Sequence, residues 1–254
     1  MVLVEPVPAF RDNYIWVIGN NQYAVAVDPG DAGALQEYLE ERKLELVAIL
    51  CTHHHQDHVG GNLALSKQHG CPVYGPAREK IPAMTHPVSE GDLVRFEEIG
   101  ASFVVMDLPG HTSGHIAYFG EGALFCGDTL FGCGCGRVFE GTMEEMHASL
   151  SRLAALPEAT RVYAAHEYTL LNLRFALEVE PENPDLPARK EEDERLDRQG
   201  IPTLPSTIGL EKRTNPFLRC EDPAVMRMAA RHCGKTLSAS AEVFSVLRRW
   251  RNEF

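Results

Sequence analysis

The sequence predicts an α+β protein in which a strand-rich domain precedes a smaller helical one. Short apolar runs alternate with glycine turns and a few helical segments up to about residue 170. After His166 the pattern changes to helical segments that continue almost to the last residue. We therefore expect a first domain over residues 1–170 and a helical domain over residues 171–254.

The predicted strands are short runs rich in β-branched and aromatic residues. Two of them, "NYIWVIGN" and "QYAVAVDPG", meet at Asn20-Asn21 and are typical of a hairpin. The others are the N-terminal "MVLVEPVPAF", the buried run "LVAILC", and then "ASFVVMDLPG", "HIAYFG", "ALFCGD" and "RVYAAH". Together they supply enough strands for the sheet of a mixed domain.

Helix-start residues mark the predicted helices. Asp31 precedes apolar residues at helical spacing, and Thr142 with Glu145 forms a capping box. A helix after Gly60-Gly61 is expected to end at Gly70. Later helices are expected in residues 170–180, 186–200, 222–232 and 240–251, with a Pro-rich connection over residues 201–217.

Composition narrows the function classes. The net charge of −12 argues against a nucleic-acid-binding protein, because such a protein needs a basic surface. An anionic small substrate would then need a local cationic cluster, for which "LRRWRNEF" at the C-terminus is the candidate. No apolar run approaches membrane-span length, and the start of the chain is unlike a signal peptide, so we expect a cytoplasmic protein. We also expect it to be a monomer. The seven cysteines are expected to be free thiols.

The stretch "THHHQDHVGGN" concentrates side chains that bind metal ions. It follows the apolar run "LVAILC" inside the chain, so it is not an expression tag. Side chains of an extended segment alternate, so His53 and His55 point the same way and can reach one ion. Asp57 and His58 lie at the turn that follows. Two residues are expected to face away from the metal: His54 and Gln56.

A run of this kind needs ligands from elsewhere, because zinc takes about four. Three candidates closely follow predicted strands: His111, Asp128 and His166. With the four motif residues they make seven groups, which suit two ions about 3.5–4 Å apart, bridged by Asp128 and a water. His115 is expected to buttress the site by hydrogen bonds. We expect two divalent ions, Zn²⁺ first, with iron or manganese as alternatives.

These motifs resemble the metallo-β-lactamase superfamily and, within it, glyoxalase II, the hydroxyacylglutathione hydrolases. "THHHQDHVGGN" matches the superfamily signature T-H-x-H-x-D-H. Stretches similar to glyoxalase II span essentially the whole chain: "FRDNYIW", "PGHTSGH", "GDTLFGCGCGR", "EGT", "HEYTLLNLRFA", "TNPFLR" and "LRRWRNEF". The resemblance implies an αβ/βα sandwich as the catalytic domain and a smaller C-terminal helical domain that binds glutathione.

The resemblance also implies roles for individual residues. The first metal ion would be held by His53, His55 and His111. The second would be held by Asp57, His58 and His166, and Asp128 would bridge the two. The glutathione contacts map onto Arg137, Phe139, Tyr168, Arg248 and Arg251. Phe139 stands where the family usually has a tyrosine, and Arg137 and Arg251 stand where lysine is common, so we expect a weaker hold on glutathione.

The implied reaction is hydrolysis of S-(2-hydroxyacyl)glutathione, above all S-D-lactoylglutathione, to glutathione and the 2-hydroxy acid in methylglyoxal detoxification. Zinc lowers the pKa of bound water to about 7, so a metal-bridged hydroxide would attack the thioester carbonyl. Asp57 would orient this hydroxide. Alternatives remain open: a persulfide dioxygenase with a single iron, another hydrolase of the superfamily, or a non-catalytic metal-binding protein. The metal count separates the dioxygenase from the dinuclear hydrolase.

Overall fold

The structure is a computed structural model that describes residues 3–254. These residues form two compact units. The first unit contains the residues up to Leu108 together with Ser113–Gly127, and the second contains Pro109–Thr112 and Asp128–Phe254. None of the helices in the described part of the chain is both long and apolar enough to cross a membrane.

The first unit contains a six-stranded sheet whose strands lie in chain order. They are β1 (Leu3–Ala9), β2 (Asn13–Gly19), β3 (Tyr23–Val27), β4 (Glu45–Leu50), β5 (Val73–Pro76) and β6 (His86–Val88). β1, β2 and β3 are antiparallel neighbours, whereas β3 to β6 run parallel. The β3 and β4 strands are apolar and largely buried, as expected of parallel strands that are covered on both faces.

Four more strands of this unit pair in an antiparallel meander. They are β7 (Leu93–Phe96), β8 (Ala101–Asp107), β9 (Ile116–Gly120) and β10 (Ala123–Gly127). All five residues of β10 are buried. Gly127, with φ +46°, ends β10 at a point where a Cβ atom would meet the Thr52 hydroxyl at 2.3 Å. Glycine is therefore required directly before Asp128.

The helices of the first unit pack on the six-stranded sheet. They are α1 (Ala32–Arg42), α2 (Gln56–Val59) and α3 (Asn62–His69). Asp31 caps α1 by accepting hydrogen bonds from the backbone of Gly33 and Ala34. Buried side chains of α1 and α3, among them Leu35, Leu39 and Leu65, share one apolar core with the strands. This packing fixes the ends of the strands from which the metal motif emerges.

The second unit is mainly helical. Its strands are β11 (Leu130–Phe131), β12 (Gly134–Cys135), β13 (Arg161–Ala164) and β14 (Ser206–Thr207). Its helices are α4 (Met143–Ala154), α5 (Thr169–Val179), α6 (Asp185–Arg198), α7 (Ile208–Thr214), α8 (Pro223–Cys233) and α9 (Ser240–Glu253). The β11 and β12 strands form a small hairpin, and β13 pairs antiparallel with β14.

A buried ion network ties the β11–β12 hairpin to the helices of the second unit. The Arg189 guanidinium lies 2.7 Å from a Glu211 carboxylate oxygen and 3.3 Å from Asp193. The other oxygen of Glu211 accepts a hydrogen bond from the Cys133 backbone at 2.8 Å. Because breaking a buried pair leaves an uncompensated charge, this network holds the hairpin firmly against α6 and α7.

Most predicted elements are confirmed, and the mixed helix and strand content confirms the predicted α+β class. The β2–β3 hairpin, the Asp31 cap and the Thr142–Glu145 capping box form as predicted. All seven cysteines are free thiols. Several short elements were missed: β5, β6, β7, the β11–β12 hairpin, and β14 and α7 within the Pro-rich residues 201–217.

Candidate functional site

The first unit places the two leading histidines of the motif side by side. His53 and His55 follow β4, and the His53 Nε2 and His55 Nδ1 atoms are 3.1 Å apart. His53 has no exposed surface. The Thr52 hydroxyl lies 3.0 Å from the His53 Nδ1 atom, and this hydrogen bond fixes the orientation of the ring. This arrangement leaves the Nε2 atom of His53 directed toward His55.

The next two motif residues lie on the short helix α2. The prediction placed Asp57 and His58 at a turn, and the structure instead gives Gln56–Val59 one helical turn. The His58 Nε2 atom lies 3.4 Å from an Asp57 carboxylate oxygen, which also accepts a hydrogen bond from the Asn13 amide at 3.0 Å. Gly30 permits this turn, because a Cβ atom there would lie 1.8 Å from the Asp57 carbonyl oxygen.

Asp28 orients the motif, a role that the sequence did not reveal. Its carboxylate accepts hydrogen bonds from the Thr52 backbone and hydroxyl, both at 2.7 Å, and lies 3.1 Å from the His58 Nδ1 atom. A carboxylate behind an imidazole fixes its tautomer and raises its basicity as a metal ligand. In the sequence, Asp28 resembles an ordinary turn residue before Pro-Gly.

Replacing Asp28 with alanine is expected to weaken metal binding by about 10- to 100-fold, because His58 loses the group that fixes its tautomer. Competition with a chromogenic chelator measures this affinity. Asp31→Ala is the matched control: it removes a carboxylate that caps α1 and is not bonded to a histidine. Equal metal affinities in the two variants would contradict an orienting role for Asp28.

Two further histidines of the first unit do not join the proposed ligands. The His54 Nδ1 atom lies 2.9 Å from a Glu79 carboxylate oxygen, consistent with the prediction that His54 faces away. The His115 ring stacks on His53 at a centroid distance of 4.8 Å. His115 thus contacts a motif histidine by ring stacking.

In the second unit, one carboxylate faces two imidazoles. Asp128 follows β10. Its Oδ2 atom lies 3.3 Å from the His111 Nε2 atom, and its Oδ1 atom lies 3.3 Å from the His166 Nε2 atom. The side chains of all three residues are buried. One carboxylate thus lies between imidazoles from two different segments of the chain.

A backbone carbonyl orients the His111 ring. The His111 Nδ1 atom lies 2.7 Å from the Arg137 carbonyl oxygen, which only accepts, so Nδ1 carries the proton of the neutral ring. Gly136 allows this loop to lie against the Asp128 backbone, because a Cβ atom at position 136 would lie 1.8 Å from the Asp128 carbonyl oxygen. The loop that carries Arg137 therefore also sets the tautomer of His111.

A cavity of about 400 Å³ opens beside these groups within the second unit. It is lined by His111, Asp128, Phe131, Cys135, Arg137, Phe139, Tyr168, Leu171, Asn172, Arg248, Arg251, Asn252 and Phe254. Its volume suits a small organic ligand. All five residues predicted to contact glutathione line this cavity.

Three arginines make the cavity strongly cationic. Arg137 comes from the loop after β12, and Arg248 and Arg251 come from α9. Burial, together with the charge of Arg248, lowers the pKa of Arg251 below the usual arginine value. Such crowding of like charges is unfavourable unless an anion enters.

Aromatic rings form the apolar part of the cavity wall. Phe139 is 59% exposed, and its ring packs edge-on against His111 at a centroid distance of 5.3 Å. Tyr168 stacks on the His166 ring at 4.8 Å. Phe139 offers an apolar surface where a tyrosine would offer a hydroxyl.

The model of the metallo-beta-lactamase superfamily matches residues 9–166, and the model of the hydroxyacylglutathione hydrolase C-terminus matches residues 167–254. A hydroxyacylglutathione hydrolase of Nitrosomonas eutropha is 53% identical over 254 residues, which cover 100% of both chains. The chain belongs to the hydroxyacylglutathione hydrolase family.

A second relative bears the same family name, and one solved structure has a similar fold. The hydroxyacylglutathione hydrolase of Vibrio cholerae O395 is 52% identical over 257 residues and all of both chains. TTHA1623, solved in a di-iron-bound form, is 28% identical with a TM-score of 0.59, covering 85% of this chain and 100% of its own. The predicted metallo-β-lactamase sandwich with a C-terminal helical domain is thereby confirmed.

The buried imidazole and carboxylate groups of this hydroxyacylglutathione hydrolase family member are suitable ligands for divalent metal ions. Burying imidazoles and carboxylates without compensation is costly, and a cation compensates both. Four of the five most buried candidates are histidines: His53, His58, His111 and His166, with Asp128 as the fifth. The superfamily match and this donor set support binding of divalent metal.

Proposed function

We propose that the protein hydrolyses S-(2-hydroxyacyl)glutathione, above all S-D-lactoylglutathione, to glutathione and the 2-hydroxy acid, and so serves methylglyoxal detoxification. One observation carries the proposal: a single cavity of the second unit is lined by His111 and Asp128 and by three arginines. Glutathione carries two carboxylates, and guanidinium groups bind carboxylates well. The names of the full-length relatives support the same substrate.

Seven residues would hold two metal ions. The first ion would be held by His53, His55 and His111. The second would be held by Asp57, His58 and His166, with Asp128 shared between them. The paired iron of TTHA1623 supports two ions, and the imidazole and carboxylate donors favour zinc, with iron or manganese as alternatives. When bound, the ions supply a nucleophile from water at neutral pH and Lewis acidity toward the thioester carbonyl.

The protein's own residues bind and orient the reactants. Arg137, Arg248 and Arg251 hold the carboxylates of the glutathione part, and Tyr168 and Phe139 pack against its apolar portions. Asp57, itself held by Asn13, orients the attacking water by accepting a hydrogen bond from it. The departing glutathione thiolate needs no strong proton donor, because the pKa of a free thiol is about 8.5.

Hydrolysis of S-D-lactoylglutathione by the metal-loaded protein, followed as loss of thioester absorbance, tests the proposal. We expect turnover that a chelator abolishes and that added zinc restores. No turnover by protein carrying two ions per chain would overturn the substrate. Oxygen uptake with glutathione persulfide would instead indicate a persulfide dioxygenase.

Replacing Arg251 with alanine is expected to raise KM for S-D-lactoylglutathione about tenfold with little change in kcat, because one charge-assisted contact to the substrate is lost. Steady-state kinetics measure both constants. Arg249→Ala is the matched control, since Arg249 is an exposed neighbour on α9 that does not line the cavity. An equal rise in KM for both variants would mean that only overall charge matters.

We also propose the organisation of the active protein. The catalytic domain would span residues 1–170 and the glutathione-binding helical domain residues 171–254. The protein would act as a monomer in the cytoplasm. Light scattering after size-exclusion chromatography measures the mass in solution, for which we expect the 28.2 kDa of one chain.

A further inference from the structure

The three arginines of the cavity need partners that keep them in place, because like charges repel. An acidic partner would hold them but would also neutralise the charge that attracts an anion. Two neutral side chains lie among them instead: Asn252 and Asn172. Each uses its amide oxygen as an acceptor.

Asn252 joins two arginines from different chain segments. It lies one helical turn after Arg248 on α9, and its Oδ1 atom accepts a hydrogen bond from the Arg248 Nη2 atom at 3.1 Å. The same oxygen accepts a hydrogen bond from the Arg137 Nε atom at 3.3 Å. One amide oxygen thus fixes the loop arginine relative to the helix.

Asn172 holds the third arginine and is itself fixed. Its Oδ1 atom accepts a hydrogen bond from Arg251 at 3.3 Å, and its Nδ2 atom donates to the Gly132 carbonyl at 3.0 Å. The amide also fits closely against Gly134, where a Cβ atom would lie 2.3 Å from the Asn172 Nδ2 atom. Asn172 therefore transmits the rigid position of the β11–β12 hairpin to Arg251.

Hydrogen bonds within the protein use only part of the donor capacity of Arg248 and Arg251. Among the described residues, the buried Nε atoms of Arg248 and Arg251 have no hydrogen-bond partner. The Nη1 atom of Arg248 is engaged by the Cys135 carbonyl at 2.6 Å.

We propose that Asn252 and Asn172 are positioning residues that preorganise the arginines for the carboxylates of the glutathione thioester. They raise substrate affinity and take no part in bond cleavage. This inference rests on the proposed function. The amide oxygens order the guanidinium groups without cancelling their charge, so the entropy of ordering is not spent when the substrate binds.

A matched pair of variants tests Asn252. Asn252→Leu keeps the size of the side chain and removes the acceptor, and we expect KM for S-D-lactoylglutathione to rise about five- to twentyfold with kcat within about twofold of wild type. Asn252→Gln keeps a neutral amide oxygen as acceptor, so its KM is expected to lie closer to that of the wild type. An unchanged KM in Asn252→Leu, or a fall in kcat alone, overturns the proposal.

A double-mutant cycle tests Asn172, which is buried and contributes to stability as well. If Asn172 acts through Arg251, Asn172→Ala raises KM severalfold in the wild type and less than about twofold in the Arg251→Ala background. Fully additive effects overturn its positioning role. Wild-type turnover of the thioester is measured in parallel, so failure of the proposed function is seen separately from failure of this inference.

Discussion

Asp128→Ala is expected to lower kcat at least about 10³-fold and to lower the metal content of the purified protein. Its two carboxylate oxygens face His111 and His166, so its loss would remove a ligand from both proposed ions at once. Losing about 4 kcal/mol of transition-state stabilisation corresponds to a factor of this size. Elemental analysis and steady-state kinetics measure the two effects.

Asp197→Ala serves as the control for Asp128→Ala. Asp197 is an exposed aspartate on α6 outside the cavity, so its removal changes the net charge equally and should leave both readouts unchanged. Metal content and kcat near wild-type values in Asp128→Ala would remove Asp128 from the metal site and with it the proposed bridge.

Asp57→Ala has the second-largest expected effect, a fall in kcat of about 10²- to 10³-fold with KM nearly unchanged. Asp57 is proposed both to bind the second ion and to orient the attacking water, and neither role involves the cationic cavity of the second unit. We expect the metal content to fall toward one ion per chain. Steady-state kinetics measure kcat and KM, and elemental analysis measures the metal content.

The contrast with Arg251→Ala makes the Asp57 prediction specific. Asp57→Ala should change kcat, whereas Arg251→Ala should change KM. If Asp57→Ala raised KM and kept two ions and its kcat, Asp57 would belong to substrate binding and the proposed division of roles would be wrong.

Elements with strong local signals could be predicted from the sequence. The β2–β3 hairpin has alternating apolar residues around Asn20-Asn21, and α4 has its complete capping box. The missed strands β5, β6 and β7 have three or four residues each, too few to establish a period. The α7 helix was hidden because Pro202 and Pro205 precede it closely.

In the candidate site, too, only the residues with a local sequence signal could be predicted. The motif from His53 to His58 is visible because its donors are adjacent in sequence. Asp28 and Asn13 were missed, since Asp28 meets Thr52 across 24 residues and Asn13 meets Asp57 across 44. The contact from Arg137 to Asn252 spans 115 residues. Single asparagines and aspartates carry no local signal for partners so distant, and only the folded chain brings them together.

A comparison of two thioesters tests the central claim most directly. S-D-lactoylglutathione and S-D-lactoyl-N-acetylcysteamine share the acyl group and the scissile bond, but only the first has carboxylates for the arginines. We predict that kcat/KM for the glutathione thioester is at least about 10²-fold higher, and that Arg251→Ala narrows this ratio. Equal kcat/KM values for the two substrates would contradict recognition of glutathione by the cationic cavity.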